Sequence, residues 1–469
     1  MYRIRNRKLL VSVFNPQEAR EAVLGGGRIV DSEDPRSALG NIKPWQIMAI
    51  SDAVLNYKRD LEVQLSTNIG EDQLLFDRSE TGQAIEKFPY EIAGKAAQSA
   101  IGVACAMGTR VHPCNLVKVG VDGMKVELVR EVLDEVVLTL NRTEQFSHCQ
   151  VMSVLFAQDM EVWNDRKGER AVRKVLVELR EFHPCAREAE GAFDLQEYAV
   201  NTLRDRQGRP LFTNRTQVSL DTLISREVLP DDSTNTYVKL NELFPHNKYF
   251  PQIARGQKRT SKDVIRAMVD VTADAGADAI MLDTRIQTKV ARLCLVDTAS
   301  DGLVDINRFD IKDGIPRRGI LSLDEIRFFV EYCHYRGIEA NVAGSVQSYQ
   351  AQQLWVKIPE LDQVSTRGGA SAVNLEPGAE SQAADTRQHR VIKRTLVRGL
   401  APPEHGGVLN LPDSMKQSQE AMRTIKALCN GLAEERRKQS LPDLECFFVD
   451  RYGKATPFDY SALDQGGSG

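Results

Sequence analysis

Asp31, Lys118, Asp159 and Asp283 each stand at or beside the end of a short apolar run. A buried parallel strand that stops abruptly at a polar side chain is emerging into a polar site. Carboxylates and an amine gathered on one rim offer two chemistries: the carboxylates can move protons to and from a carbonyl compound, and the amine can condense with it to an imine. A salt bridge from Lys118 to those carboxylates, with no chemistry, is an equal reading, and Asp283 could simply cap the following turn. A second constellation is rich in glycine. Gly344-Ser345 and Arg367-Gly368-Gly369 follow two further apolar runs. Backbone N–H groups can converge on an anion in such loops, and Arg367 adds charge and a bidentate fork. Tight turning alone is the competing reading. The two constellations together point to a small phosphorylated substrate.

These residues need a scaffold that brings strand ends together. Apolar runs at 9–14, 28–31, 61–65, 116–119, 150–156, 279–283, 338–343 and 363–366 predict eight strands. Helical patterns at 16–24, 44–56, 89–107, 126–140, 261–275, 323–335 and 389–400 separate or follow them. Alternation of this kind predicts an α/β fold, a (β/α)8 TIM barrel with all strand ends on one face. The rhythm breaks twice, giving a large insertion after strand 5 at 161–260 and a smaller one at 290–319. The expected organisation is therefore a first barrel part at 7–160, the insertion, a second barrel part at 261–400, and a helical C-terminal extension at 401–469 with a flexible tail. In that extension Met415, Met422, Ile425, Leu428 and Leu432 make one apolar helix face for docking on the barrel or on a second subunit.

Bulk properties exclude several classes. Lys+Arg 61 against Asp+Glu 65 leaves a net charge of -4, which disfavours a dedicated nucleic-acid binder but permits a locally basic pocket. The 8 cysteines include no Cys-x-x-Cys pair, so neither a zinc ribbon nor a redox dithiol is indicated. His112, His148, His183 and His334 share no ligand spacing. No metal and no cofactor are expected. The basic start is followed by an apolar run too short for a signal peptide, and no window reaches the length of a membrane span. A cytoplasmic protein without membrane contact is the expectation.

Several motifs, in order, carry a family resemblance: Leu9-Leu10-Val11-Ser12 with Asn15, Ile29-Val30-Asp31 with Pro35, Ser66 with Ile69-Gly70, Lys118-Val119-Gly120, the stretch from Gly276 to Thr284, Ala343-Gly344-Ser345, and Arg367-Gly368. The chain resembles the (5-formylfuran-3-yl)methyl phosphate synthases of methanofuran biosynthesis over most of 7–160 and 261–400. That resemblance implies a lyase on a (β/α)8 barrel, joining two glyceraldehyde 3-phosphate units through lysine imines. The family's second strand carries Asp-x-Lys-Asn-Pro, and here Asp31-Ser32-Glu33-Asp34-Pro35 puts Glu33 at the lysine position. Its sixth strand carries Asp-Thr-x-Ile-Lys-Asp-Gly, and here Gln287 stands at the lysine. Neither a carboxylate nor an amide forms an imine. Ile311-Lys312-Asp313-Gly314 repeats the missing tail, so Lys312 is a candidate relocated lysine, with Lys289 nearer but less patterned.

The candidate catalytic set is Asp31, Glu33, Lys118, Asp283, Gln287 and Lys312, and the candidate phosphate set is Gly344, Ser345, Arg367, Gly368 and Gly369. One reading is a divergent lyase in which Glu33 supplies acid–base chemistry, or holds a divalent cation with its neighbouring carboxylates. The other is a non-catalytic barrel acting as a subunit or regulator in one-carbon cofactor metabolism. Contacts in a homo-oligomer or with a complex partner would then use the insertion or the C-terminal helix.

Overall fold

The computed structural model describes residues 7–35, 39–57, 62–70, 76–78, 84–86, 89–108, 115–121, 126–156, 261–284, 293–299, 302–312, 315–374 and 390–458. The large insertion at 161–260, Asp159, Gln287 and Lys289 lie outside these residues. Eight strands close into a barrel: β1 (Lys8–Val13), β2 (Ile29–Ser32), β3 (Gln64–Asn68), β4 (Leu116–Gly120), β5 (Gln150–Phe156), β6 (Ala279–Asp283), β7 (Glu339–Val342) and β8 (Gln363–Thr366). Every adjacent pair is parallel, and β1 pairs with both β2 and β8.

The helices of the outer layer are α1 (Pro16–Leu24), α2 (Pro44–Tyr57), α3 (Pro89–Met107), α4 (Val126–Arg142), α5 (Ser261–Asp274), α6 (Leu323–Arg336), α7 (Ser348–Lys357) and α8 (Arg394–Leu400). Their starts obey local chemistry. Asn15 caps α1 by accepting from the Glu18 N–H at 3.0 Å, and Pro16 occupies the first helical position, where its missing N–H costs nothing. Ser322 and Glu325 form a capping box on α6, which stops at Gly337 in the left-handed region.

Alternation along each strand sorts the side chains. Leu9, Val11, Val30, Val117 and Leu282 face the helices in the main core, whereas Leu10, Ile29, Leu116, Met152 and Met281 fill the barrel interior. Lower in the lumen the contacts are polar: Asn341 Nδ2 donates to Gln363 Oε1 at 2.7 Å, and Ser365 Oγ to Asn341 Oδ1 at 2.7 Å. These polar interior groups thus find partners on a neighbouring strand rather than in water.

Three expectations need correction. The third strand is Gln64–Asn68, not 61–65. Polar Ser66 and Asn68 read as loop, but a lumen with polar layers accepts them inside a strand. The closing helix begins at Arg394, because Arg390–Ile392 pair antiparallel with Ser371–Val373. The C-terminal extension is more than helical: Leu409–Pro412, Cys446–Val449 and Ala455–Pro457 form a three-stranded sheet beside α9 (Gln419–Lys438). Ile425, Leu428 and Leu432 of α9 pack with Leu409, Leu411, Phe448 and Tyr349 and Val356 of α7, so this face is covered by the chain's own barrel. Arg7 fastens the other side, with Nε donating to Glu404 at 2.7 Å and Nη1 to the Trp355 carbonyl at 2.6 Å.

Candidate active site

Asp31 and Glu33 lie two residues apart at the end of β2, so both side chains point to the same face, the lumen. Ser12 on β1 is in register with Asp31, and so is Ser66 on β3. Lys118, on β4, reaches across to both acids. Its Nζ donates to Asp31 Oδ2 at 2.6 Å and to Glu33 Oε2 at 2.8 Å. The Ser12 hydroxyl donates to Asp31 Oδ2 at 2.9 Å. Lys118 is 2% exposed and Asp31 0%, so the cluster is shielded from bulk water.

Burial pushes all three groups towards their neutral forms, and the mutual contacts decide which of them give way. For Asp31, burial is overcome by the Lys118 charge and by hydrogen bonds from Glu33 and Lys118, and its carboxyl is held below the usual range. For Lys118, burial is likewise overcome by Asp31 and Glu33, and the amine is raised above its ordinary value. Glu33 gives way. Burial, reinforced by the Asp31 charge and opposed by Lys118, raises it to about 8. Near neutral pH the cluster is therefore an Asp31–Lys118 ion pair beside a protonated Glu33. The Lys118 ammonium, set between the Asp31 carboxylate and the Glu33 carboxyl, takes the position a divalent cation would need, so these residues do not fit a metal.

Above this cluster opens a cleft lined by Ser12, Glu33, Lys118, Asp283, Gly344 and Ser345, with Thr366 to Gly368 and Arg390 on the β8 side. Counting the open solvent at its mouth, the cleft spans about 710 Å³. The structure thus brings Glu33, Lys118 and Asp283 to one rim with both glycine turns, and Asp31 sits directly beneath them.

The glycine turns are fixed in position. Gly344 has φ +85°, and a Cβ there would lie 2.8 Å from Thr284 Cγ2 and 3.0 Å from Leu295 Cβ. Thr366 Oγ1 donates to the Val346 carbonyl at 3.3 Å, and a Cβ on Gly369 would stand 2.2 Å from that same oxygen, so the two turns are pressed together. Gly344→Ala should lose about 1–3 kcal/mol of stability in a denaturant titration, the cost of a crowded left-handed alanine. A melting curve equal to that of the parent protein would contradict the packing described.

Arg367 is placed differently from a bare phosphate ligand. Its guanidinium forks onto Glu18 of α1, at 2.9 and 3.1 Å, and also donates to the Ser12 carbonyl at 3.0 Å. Its charge is thereby matched inside the protein, although the residue still borders the cleft. Lys312 belongs to a two-residue strand, Ile311–Lys312, paired with Ile315–Pro316 in the excursion after β6. Two further residues, Ser12 and Arg390, line the cleft beyond those the sequence pattern singles out. Ser12 was legible as the inward residue two after Leu10 on β1. Arg390 gives no signal in the sequence, because antiparallel pairing with Ser371–Val373 delivers it. His334 meets Asp362 at 2.7 Å.

Residues 9–176 match the family model described as 4-HFC-P synthase. That is the family whose motifs the chain resembles. No curated protein matches the chain. Among solved structures, a putative lyase/mutase from Burkholderia cenocepacia J2315 is 11% identical, covering 78% of this chain and 77% of that one, with a TM-score of 0.32. The putative copper homeostasis protein CutC from Streptococcus agalactiae is 10% identical over 77% of this chain and 99% of its own, with a TM-score of 0.30. A rubisco-like protein from Burkholderia fungorum is 8% identical over 78% of this chain and 56% of its own, with a TM-score of 0.32. Scores this low add nothing to the barrel described above.

Proposed function

We propose, from the match of residues 9–176 to the 4-HFC-P synthase family model, that this barrel is a synthase or lyase acting on a small phosphorylated carbonyl compound of the triose phosphate class. The observation that carries the proposal is the Asp31–Lys118–Glu33 cluster at the floor of a cleft walled by Gly344-Ser345 and Gly368. In this reading the phosphate rests against the glycine turns and the carbonyl points down to the cluster. Lys118, fixed as an ammonium, stabilises the negative charge that develops on the carbonyl oxygen when an adjacent C–H bond breaks. Glu33 donates its proton to that oxygen, and Asp283, on the β6 side, receives the proton from carbon. The enediol so formed can attack a second carbonyl or expel a leaving group. No imine is needed at the position where Glu33 replaces lysine.

One observation favours the second reading, a barrel that binds a phosphorylated metabolite in one-carbon cofactor metabolism without converting it. Glu33 and Gln287 stand where the family carries its imine lysines, and the retained Lys118 is held by Asp31 and Glu33 as an ammonium, which cannot add to a carbonyl.

Incubation with glyceraldehyde 3-phosphate, borohydride reduction and peptide mapping separate the readings. The expected result is consumption of the compound at pH 7 with no adduct on Lys118. An adduct on Lys118, Lys289 or Lys312 would replace the acid–base route by imine chemistry. Binding of the compound without consumption would establish the second reading instead.

A further inference from the structure

The excursion between β6 and α6 takes no part in the chemistry above, yet one of its side chains reaches the turn that walls the cleft. The backbone of this excursion is already tied to the site, since the Leu295 N–H donates to the Gly344 carbonyl at 2.9 Å. Arg317 makes the second tie. Its Nε donates to Asp310 Oδ2 at 2.8 Å, and its Nη1 donates to the Ser345 carbonyl at 3.4 Å. Asp310 Oδ2 also accepts from the Tyr349 hydroxyl of α7 at 3.0 Å, so the guanidinium is anchored against the barrel. Gln347 Nε2 donates to the same Ser345 carbonyl at 3.1 Å.

Ser345 needs such restraint. Its φ is +59°, and among the described residues only Ser440 shares a positive φ without being glycine. A side-chain-bearing residue keeps this conformation only where its surroundings impose it. A trans peptide is planar, with its C=O and the next N–H directed oppositely, so holding the Ser345 carbonyl fixes the whole peptide plane at the rim of the cleft.

We infer that Arg317 is a positioning residue for the anion-binding turn: anchored by Asp310, it holds the Ser345 carbonyl and keeps Gly344-Ser345 in the left-handed geometry that receives a phosphate group. The inference rests on the proposed phosphate-binding role of that turn. It gives the excursion after β6 a purpose, which is to set affinity for the phosphate end of the substrate without touching the reacting carbonyl.

The test is a double-mutant cycle read by titration of inorganic phosphate into the full-length protein. Arg317→Met is expected to weaken phosphate binding about tenfold in the native background. Glycine adopts positive φ freely, so in a Ser345→Gly background the same substitution should cost no more than about threefold. Arg317→Lys keeps a cation beside Asp310 but loses the second arm to Ser345, and should fold normally while losing a similar fraction of affinity. Equal affinity in Arg317→Lys and the parent, or an equal loss in the native and the Ser345→Gly backgrounds, would overturn the inference. Failure of the parent protein itself to bind phosphate would instead remove the phosphate-binding reading on which it stands.

Discussion

Lys118→Met should lower the free energy of unfolding by about 3–5 kcal/mol at pH 8, because the substitution strands a carboxylate in the barrel interior. Asp31 is fully buried, and its principal charge partner is Lys118 at 2.6 Å. With the ammonium gone, burial, the largest influence on Asp31, is opposed only by the remaining hydrogen bonds, those from Ser12 and Glu33 among them, and raises it, so the folded protein would take up a proton to neutralise the group. A group raised in the folded state contributes most below its unfolded value and loses that contribution as pH rises. The deficit of Lys118→Met should therefore be smaller at pH 5 than at pH 8. In the parent protein Asp31 is lowered, so its contribution is present above the ordinary carboxyl range and is lost on acidification. Adding Asp31→Asn to Lys118→Met removes the stranded charge and should recover most of the loss. Urea titrations at the two pH values measure all of this, and a Lys118→Met protein as stable as its parent at pH 8 would contradict the buried ion pair.

Glu33→Gln should reduce turnover of a triose phosphate by about 10²–10⁴-fold, the usual contribution of a positioned proton donor, while leaving phosphate affinity within a few-fold of the parent. Its effect on stability has the opposite sign to that of Lys118→Met. Glu33 is raised to about 8 from an ordinary value of 4.5, chiefly by burial. Folded protein keeps this proton while unfolded protein releases it, so stability should fall as pH rises from about 4.5 to about 8. Glutamine cannot ionise. The variant should lose that slope and, at pH 9, exceed the parent by on the order of 5 kcal/mol. Identical pH–stability curves for parent and variant would show that Glu33 is not a buried acid.

The barrel was legible because its parallel strands are buried on both faces and so read as short apolar runs. The same logic explains the misplacement of β3. Its inward residues, Ser66 and Asn68, belong to a polar layer of the lumen, and apolarity alone marks them as loop. Arg390–Ile392 read as helix in the sequence because their partner strand, Ser371–Val373, becomes adjacent only in the folded chain. At the site, Asp31, Lys118 and Asp283 were recognisable as polar residues ending apolar strands. What could not be read was the pairing. Lys118 meets Glu33 because β2, β3 and β4 lie side by side in a particular register, and that register is a tertiary property. The fork of Arg367 onto Glu18 joins residues 349 positions apart, and local patterning gives no hint of it. Glu33 stood out only as a departure from a family pattern. Its proton follows from burial beside an existing ion pair, which only the folded arrangement reveals.

The most direct measurement is deuterium uptake at carbon 2 of glyceraldehyde 3-phosphate, or at the hydroxymethyl carbon of dihydroxyacetone phosphate, in heavy water, followed by proton NMR across pH 5 to 9. The expected result is enzyme-dependent exchange that requires protonated Glu33, declines through pH 8, and is lost in Glu33→Gln while phosphate still binds. Exchange that persists in Glu33→Gln with the same pH profile, or its absence from the parent protein despite phosphate binding, would contradict proton transfer by Glu33 in this cleft.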